Sequence, residues 1–394
     1  MIRGKSIGVV TALGVALLVS ACGSTGSSTS GAPTTQAEVQ GQEGSICGHG
    51  AAGAAAAPSG IAKLDGAAGS LSGAGSTFVN PIMTLWSSDF QKAQGAQVAY
   101  QSIGSGGGVQ QTIAKTVDFG ASDAPMKDDE LARAGGDILH VPLVFGAVVP
   151  TYNLAGQTSG LKFTGEVLGQ IFANKITKWN DPAITALNPD ATLPDQAIAV
   201  VHRSDGSGTT DIWTDYLTKA SPTWTTTLGG ADKSHGKDVA WPTGIGGKGN
   251  EGVSGAVSQT PGALGYVELT YALSQKLPVG WVRNKAGAFI QPCIETVTAA
   301  ATDAAVPADL RFSLTDGPGT NAYPITGTTW ALVHQNQTDA GKAKALVNFF
   351  TWIMDQGQKE APALNYAPLS ADLQIKAVAQ IRKIQLNGQP VARP

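Results

Sequence analysis

Charge is sparse in this sequence. Asp, Glu, Lys and Arg make up 14% of its 394 residues, and 26 basic side chains face 29 acidic ones. No basic stripe marks a nucleic-acid surface, and the field of the whole molecule would mildly repel an anion. Any anion site must therefore be built from local groups. Histidine is also scarce. His49, His140, His202, His235 and His334 are scattered without metal-ligand spacing, and His202, next to Arg203 on a strand-like run, should point away from it. The Gly-rich lysine loop of nucleotide hydrolases does not occur. Gly206-Ser207-Gly208 lacks the spacer residues of a nucleophile elbow. These gaps argue against an enzyme: no catalytic residue, metal site or cofactor is expected. One dinucleotide-like run, Gly244 to Gly249 with Glu268 beyond it, follows Trp241-Pro242-Thr243 rather than a clear strand. It reads as a loop.

Long apolar runs are missing after the N-terminus, where a spanning helix would need about 20 apolar residues. The N-terminus itself is informative. Arg3 and Lys5 precede an uncharged apolar stretch, Ile7 to Ala21, which closes with Val19-Ser20-Ala21-Cys22. Charge, length and small residues together predict a signal peptide over 1–21. The ending is similar to the lipobox of bacterial lipoproteins, in which Cys22 becomes the lipidated first residue of the mature chain, an acyl (palmitate) anchor. An ordinary cleavable signal that happens to contain a cysteine is the plainer alternative. Loss of Arg3 and Lys5 with the leader would leave 24 basic against 29 acidic residues. Cys47 and Cys293 then remain, and an oxidising compartment permits a bridge without requiring one.

From Cys22 to about residue 70 the chain is Gly, Ser, Thr and Ala with few large apolar side chains. Such a segment cannot bury enough surface to offset its ordering entropy and reads as a flexible linker, with a reach of roughly 40 Å. The rest exceeds one comfortable core, so two domains are expected. Its texture is α/β: apolar runs such as Ile138–Val149 and Ala197–His202 alternate with helical patterns. Leu346, Phe349, Phe350, Ile353 and Met354 share one helical face. Leu373, Val378 and Ile381 suggest another helix, with Ser370 as its cap.

One unit appears three times without sequence repetition: a short strand, a Gly/Ser/Thr loop, then an amphipathic helix. Ser72-Gly73-Ala74-Gly75-Ser76-Thr77-Phe78 leads to a face of Ile82, Leu85, Trp86 and Phe90. Val98–Ile103 runs into Gly104-Ser105-Gly106-Gly107-Gly108, with Val109, Ile113 and Val117 beyond. Arg203-Ser204-Asp205-Gly206-Ser207-Gly208-Thr209-Thr210 precedes Ile212, Trp213, Tyr216 and Leu217. Helix N-termini present unpaired N–H groups and partial positive charge, glycine allows close approach, and hydroxyls add donors. Any one such loop could simply cap its helix. Three together, with the donor fork of Arg203 and a nearby Asp205 to hold it, point to an oxyanion.

These segments resemble the phosphate-binding proteins of bacterial phosphate-specific ABC transporters. Asp118-Phe119-Gly120-Ala121-Ser122-Asp123-Ala124-Pro125, Lys248-Gly249-Asn250-Glu251-Gly252, Gly262 to Glu268 and Tyr323-Pro324-Ile325-Thr326 carry the likeness further. The resemblance implies an α/β, two-domain periplasmic-binding-protein (type II) fold with ligand in the interdomain cleft. One domain would comprise 71–147 plus 318–394 and the other 148–317. It places phosphate contacts on Thr77, Phe78 (amide), Ser105, Asp123, Arg203, Ser207, Gly208 and Thr209, with Asp205 orienting the arginine. Some relatives carry two serines where this chain has Ser105-Gly106. The resemblance also implies a lipid-anchored extracytoplasmic monomer that closes on inorganic phosphate and delivers it to the permease and ATPase subunits of an importer. Asp123 separates phosphate from other anions in principle. Its carboxylate can accept the proton that phosphate keeps near neutral pH, and it repels sulfate, which keeps none. A receptor for another oxyanion, a phosphatase-like enzyme and a surface adhesin or signalling lipoprotein are the other readings. If Cys22 carries the anchor, Cys22→Ser should move the chain from the membrane pellet to the supernatant on ultracentrifugation; continued sedimentation would refute it.

Overall fold

The computed structural model describes residues 47–48, 59–302 and 304–392. The expected leader over 1–21 and Cys22 lie outside the described residues. Eight strands carry the architecture: β1 (Ser70–Gly75), β2 (Gln97–Ser102), β3 (Phe119–Ser122), β4 (Ile138–Asn153), β5 (Ala199–Arg203), β6 (Ile245–Gly247), β7 (Ala263–Glu268) and β8 (Thr326–His334). They lie side by side in the order β2-β1-β3-β8-β4-β7-β5-β6. Strand β4 holds the two halves of this sheet together. All of its residues except the two ends are buried, which is why it reads as one apolar run. Ile138 to Ala147 pair antiparallel with β8, whereas Val148 to Asn153 pair antiparallel with β7. On either side the outer strands are parallel, β2-β1-β3 in one half and β7-β5-β6 in the other.

Seven helices matter to the site and its support: α1 (Asn80–Gln94), α2 (Ser105–Ile113), α3 (Asp128–Ala134), α4 (Gly208–Ala220), α5 (Gly249–Gln259), α6 (Ala340–Trp352) and α7 (Ala371–Ile381). Their buried faces follow the expected spacing. Helix α1 buries Ile82, Met83, Trp86 and Phe90, with Leu85 only partly covered. Helix α4 buries Ile212, Trp213, Tyr216 and Leu217, and the Trp213 ring stacks on Tyr266 at 4.9 Å. Helix α2 stops at Ile113, so Val117 falls outside it. Leu346, Phe349 and Phe350 are buried on α6, and Ile353 and Met354 continue the face through one π-helical turn. Ser370 caps α7 by accepting from the Leu373 amide. His202 stacks on Trp241 at 4.8 Å, whereas the Arg203 guanidinium pairs with Asp205.

Two expectations need correction. The segment 59–69 is not free linker. Ser59 donates from its amide and hydroxyl to Asp355 at 2.7 and 3.0 Å, Leu64 exchanges two hydrogen bonds with Asn348, and Ala68 donates to the Gly341 carbonyl. Composition shows that this stretch has little to bury, but not that distant polar groups will pair its backbone. The run Gly244 to Gly249 is not a plain loop either. It contains β6 and opens α5, so it forms a fourth strand-to-helix corner.

Cys47 and Cys293 form a disulfide, with Cα atoms 5.9 Å apart and a sequence separation of 246. It ties the N-terminal region to the half of the molecule that contains β7. Because the bridge closes a long loop, Cys293→Ala should lower stability by about 2–5 kcal/mol in urea unfolding. An unchanged midpoint would show that the bridge does not constrain the unfolded chain.

Candidate functional site

The carboxyl ends of β1, β2, β5 and β6 each lead through one to four residues into a helix, and the four corners converge. In α/β sheets this is where anions are received, since the first amides of each helix have no acceptor within it. Here the corners come from both halves of the sheet, and they touch. Gly106 N donates to the Gly206 carbonyl at 2.8 Å. A side chain at Gly208, the first residue of α4, would place its Cβ 2.6 Å from Asp123 Cβ and Ser105 Oγ, so only glycine permits this approach. Gly104 is at φ +85°, and a Cβ there would meet Asp205 Oδ2 at 2.3 Å.

Arg203 ends β5 and is buried. Its guanidinium makes a paired contact with Asp205, Nε to Oδ1 at 2.8 Å and the second nitrogen to Oδ2 at 2.5 Å. Asp205 also accepts the Gly249 amide at 2.9 Å. Burial alone would raise the Asp205 carboxyl, but the Arg203 hydrogen bonds and charge outweigh it and hold the group below the usual aspartate range. The arginine is therefore fixed with one edge spent on Asp205 and the remainder turned toward Thr209, 3.4 Å away.

Asn250, near the start of α5, joins the two sides. Its Nδ2 donates to Thr77 Oγ1 at 2.8 Å and to Thr209 Oγ1 at 3.1 Å, and its amide donates to Thr77 Oγ1 at 3.1 Å. A hydroxyl has one hydrogen and two acceptor sites. Thr77 receives two donors from Asn250, and Thr209 receives one each from Asn250 and Arg203, so each must aim its own hydrogen elsewhere. Asn250 thus turns two ambiguous hydroxyls into donors. Ser207 accepts the Thr210 amide at 3.0 Å, which fixes the start of α4 and leaves the Gly208 and Thr209 amides at the open end.

Asp123 follows β3 and is only 3% exposed. Three hydroxyls surround its carboxyl: Ser76 at 2.5 Å and Thr329 at 2.6 Å on Oδ1, Ser105 at 3.3 Å on Oδ2. Burial pushes the group up to about 6, although these hydroxyls and the Arg203 charge pull the other way. It can therefore change protonation in the range where polyprotic anions do. A further bond locks the halves at the rim, where Lys237 Nζ contacts both oxygens of Glu130 on α3 at 2.6 and 2.9 Å.

The structure thus brings Thr77, Phe78, Ser105, Asp123, Arg203, Ser207, Gly208 and Thr209 together, with Asp205 behind the arginine. Sequence reasoning had singled out the Asn250 segment without giving it a role, and it missed Ser76, Thr329 and Tyr271, whose hydroxyl lies 2.6 Å from the Thr77 carbonyl. Ser76 was within reach as a neighbour of Thr77; Thr329 sits on a strand with no motif around it.

A fold of two α/β halves meeting at helix N-termini defines a periplasmic-type binding protein, and comparison with known proteins agrees. A PBP superfamily domain matches residues 33–355. The chain belongs to this superfamily and, within it, to the PstS phosphate-binding proteins. It is 48% identical to the phosphate-binding protein PstS of Pasteurella multocida over 309 residues, covering 78% of this chain and 88% of that one. Against PstS of Methanocaldococcus jannaschii the identity is 40% over 326 residues, 76% of this chain and 82% of the relative. Among solved structures, a phosphate-binding protein from Stenotrophomonas maltophilia superposes with a TM-score of 0.58 at 19% identity, covering 79% of this chain and 94% of that one. The fold is the two-domain periplasmic-binding-protein architecture.

The raised Asp123 group has a consequence for stability. Its folded value lies above the unfolded one, near 3.9, so its contribution is fully present below about pH 4 and is lost as pH rises through about 6. Asn at this position keeps an oxygen for Ser76 and Thr329 and carries no charge. Asp123→Asn should therefore stabilise the anion-free protein at pH 8 by roughly 2–3 kcal/mol and flatten the dependence between pH 4 and 6. Urea unfolding across that range checks it, and parallel curves for the two proteins would refute it.

Proposed function

We propose that this chain is an extracytoplasmic receptor that captures inorganic phosphate and delivers it to an ABC importer. The observation that carries the reading is a buried, titratable carboxyl, Asp123, set among oriented donors. A site for a fully deprotonated anion gains nothing from a carboxyl in its wall. A site for an anion that still carries a proton gains both a hydrogen bond and the means to reject competitors. The Thr77, Ser207 and Thr209 hydroxyls, the Phe78, Gly208 and Thr209 amides and Arg203 supply the donors, and Ser105, whose hydroxyl donates to Asp123 Oδ2, turns that hydrogen to the anion as it binds. Asp123 accepts, Ser207 caps α4, and Asp205 holds the arginine. The relatives are named for phosphate binding, which accords with this chemistry, and the assigned role is binding rather than turnover.

The remaining assignments belong to the same reading. The domains are 71–147 plus 318–394 and 148–317, a division supported by the change of partner of β4 between Ala147 and Val148. A lipid on Cys22 holds the receptor at the outer face of the membrane. Among the described residues no helix is long and apolar enough to cross a membrane. The receptor acts as a monomer, and its closed form is presented to permease subunits whose companion ATPases supply the energy.

The test is calorimetric titration of the soluble chain from residue 23, freed of carried-over anion, with phosphate and then sulfate. One-to-one phosphate binding without sulfate heat is expected. Asp123→Asn should lower the phosphate-to-sulfate ratio more than the phosphate affinity. Equal binding of both anions by the unaltered chain, or none of phosphate, would end the assignment.

A further inference from the structure

Asp123 does not use its two oxygens equally. Oδ1 receives Ser76 from the β1 corner and Thr329 from β8, at 2.5 and 2.6 Å, whereas Oδ2 receives, among the described residues, Ser105 alone at 3.3 Å. The position of Thr329 follows from sheet register. Trp330 faces Ser122 and Ala331 faces Ala121, so Thr329 comes opposite Asp123 at the end of β3. The register of β8 against β4 shifts between Thr329 and Trp330, where Pro142 pairs with Trp330 and Val144 with Thr329. Proline has no amide for the ladder, and an irregularity of this kind re-aims the side chain beside it. Thr329 is wholly buried, and its hydroxyl goes to Asp123.

We propose that Thr329 is a positioning residue for anion specificity, one that pins Asp123 Oδ1 from the neighbouring strand β8 so that Oδ2 is left to face the bound anion. The inference rests on the phosphate reading of the site. A hydroxyl that donates to a carboxylate also favours its ionised form. In that form Oδ2 accepts the ligand's proton; once protonated, Asp123 no longer discriminates. The other groups facing Asp123 are Arg203 from β5, Tyr100 from β2 and Glu268 from β7. In a cavity beside it stand Asp211 and Asp215 from α4, His235, and Arg311. None of them changes when Thr329 is replaced, so a shift in the titration of Asp123 isolates this hydroxyl.

Thr329→Val removes the donor at nearly constant volume, and Thr329→Ser keeps it. Two readouts are taken between pH 4 and 9: the Asp123 carboxyl carbon by NMR in the anion-free protein, and phosphate and sulfate affinities by calorimetry. The valine variant should titrate about one pH unit higher and lose about tenfold in the phosphate-to-sulfate ratio at pH 7. The serine variant should restore both to within about twofold. An unmoved titration in the valine variant, or an equal loss in the serine variant, would overturn the proposal. If the unaltered protein bound no phosphate at any pH, the phosphate reading would fall instead. The two failures are separable because the carboxyl titration needs no ligand.

Discussion

A carboxyl buried in the wall of an anion site has to be held by donors arriving from several directions, and the placing of Asp123 depends on that requirement. Left alone at this depth it would be protonated over most of the accessible pH range or would destabilise the fold. Its donors come from the corner after β1, from within β8 and from the first turn of α2. Three elements distant in sequence must meet at one level of the sheet for that to happen. The parallel order β2-β1-β3, with β8 laid antiparallel beside β3 and irregular in its register against β4 next to Thr329, does this.

The opposite wall solves a different problem. Arg203 brings charge, but a free guanidinium would sample many poses. Asp205 and the amide of Gly249 fix it, and Asn250 then reaches across to order Thr77 and Thr209. The chain is net acidic, so attraction over long distances does not gather the ligand. Selection is left to short-range donors whose hydrogens have been aimed beforehand, and little reorganisation is needed when an anion arrives.

Much of this was legible in the sequence, and the boundary has a physical basis. Corners such as Gly104-Ser105 and Arg203 to Thr210 announce themselves because local chemistry dictates them: glycine for close approach, hydroxyls for capping, arginine for a fork. The apolar run of β4 was equally plain. What escaped were relations set by register. Thr329 matters because it falls opposite Asp123, and nothing near it in sequence says so. Asn250 lay in a motif but acquired its role only from the distance between two threonines. The run Gly244 to Gly249 looked like a loop because β6 is a three-residue edge strand with no periodicity to detect. Residues 59–69 looked like linker because their partners, Asn348 and Asp355, lie 284 and 296 positions further along the chain.

Strand β4 also has a mechanical meaning. The two halves are not beads joined by a string; at Ala147 and Val148 they share one continuous strand, paired with β8 before that point and with β7 after it. Any rotation of one half against the other must be absorbed as torsion distributed over neighbouring pleats, since a paired strand can change its twist but cannot fold like a loop. Such a joint acts as a torsion bar. It resists shear and stretch and sets the angular relation of the four helix corners.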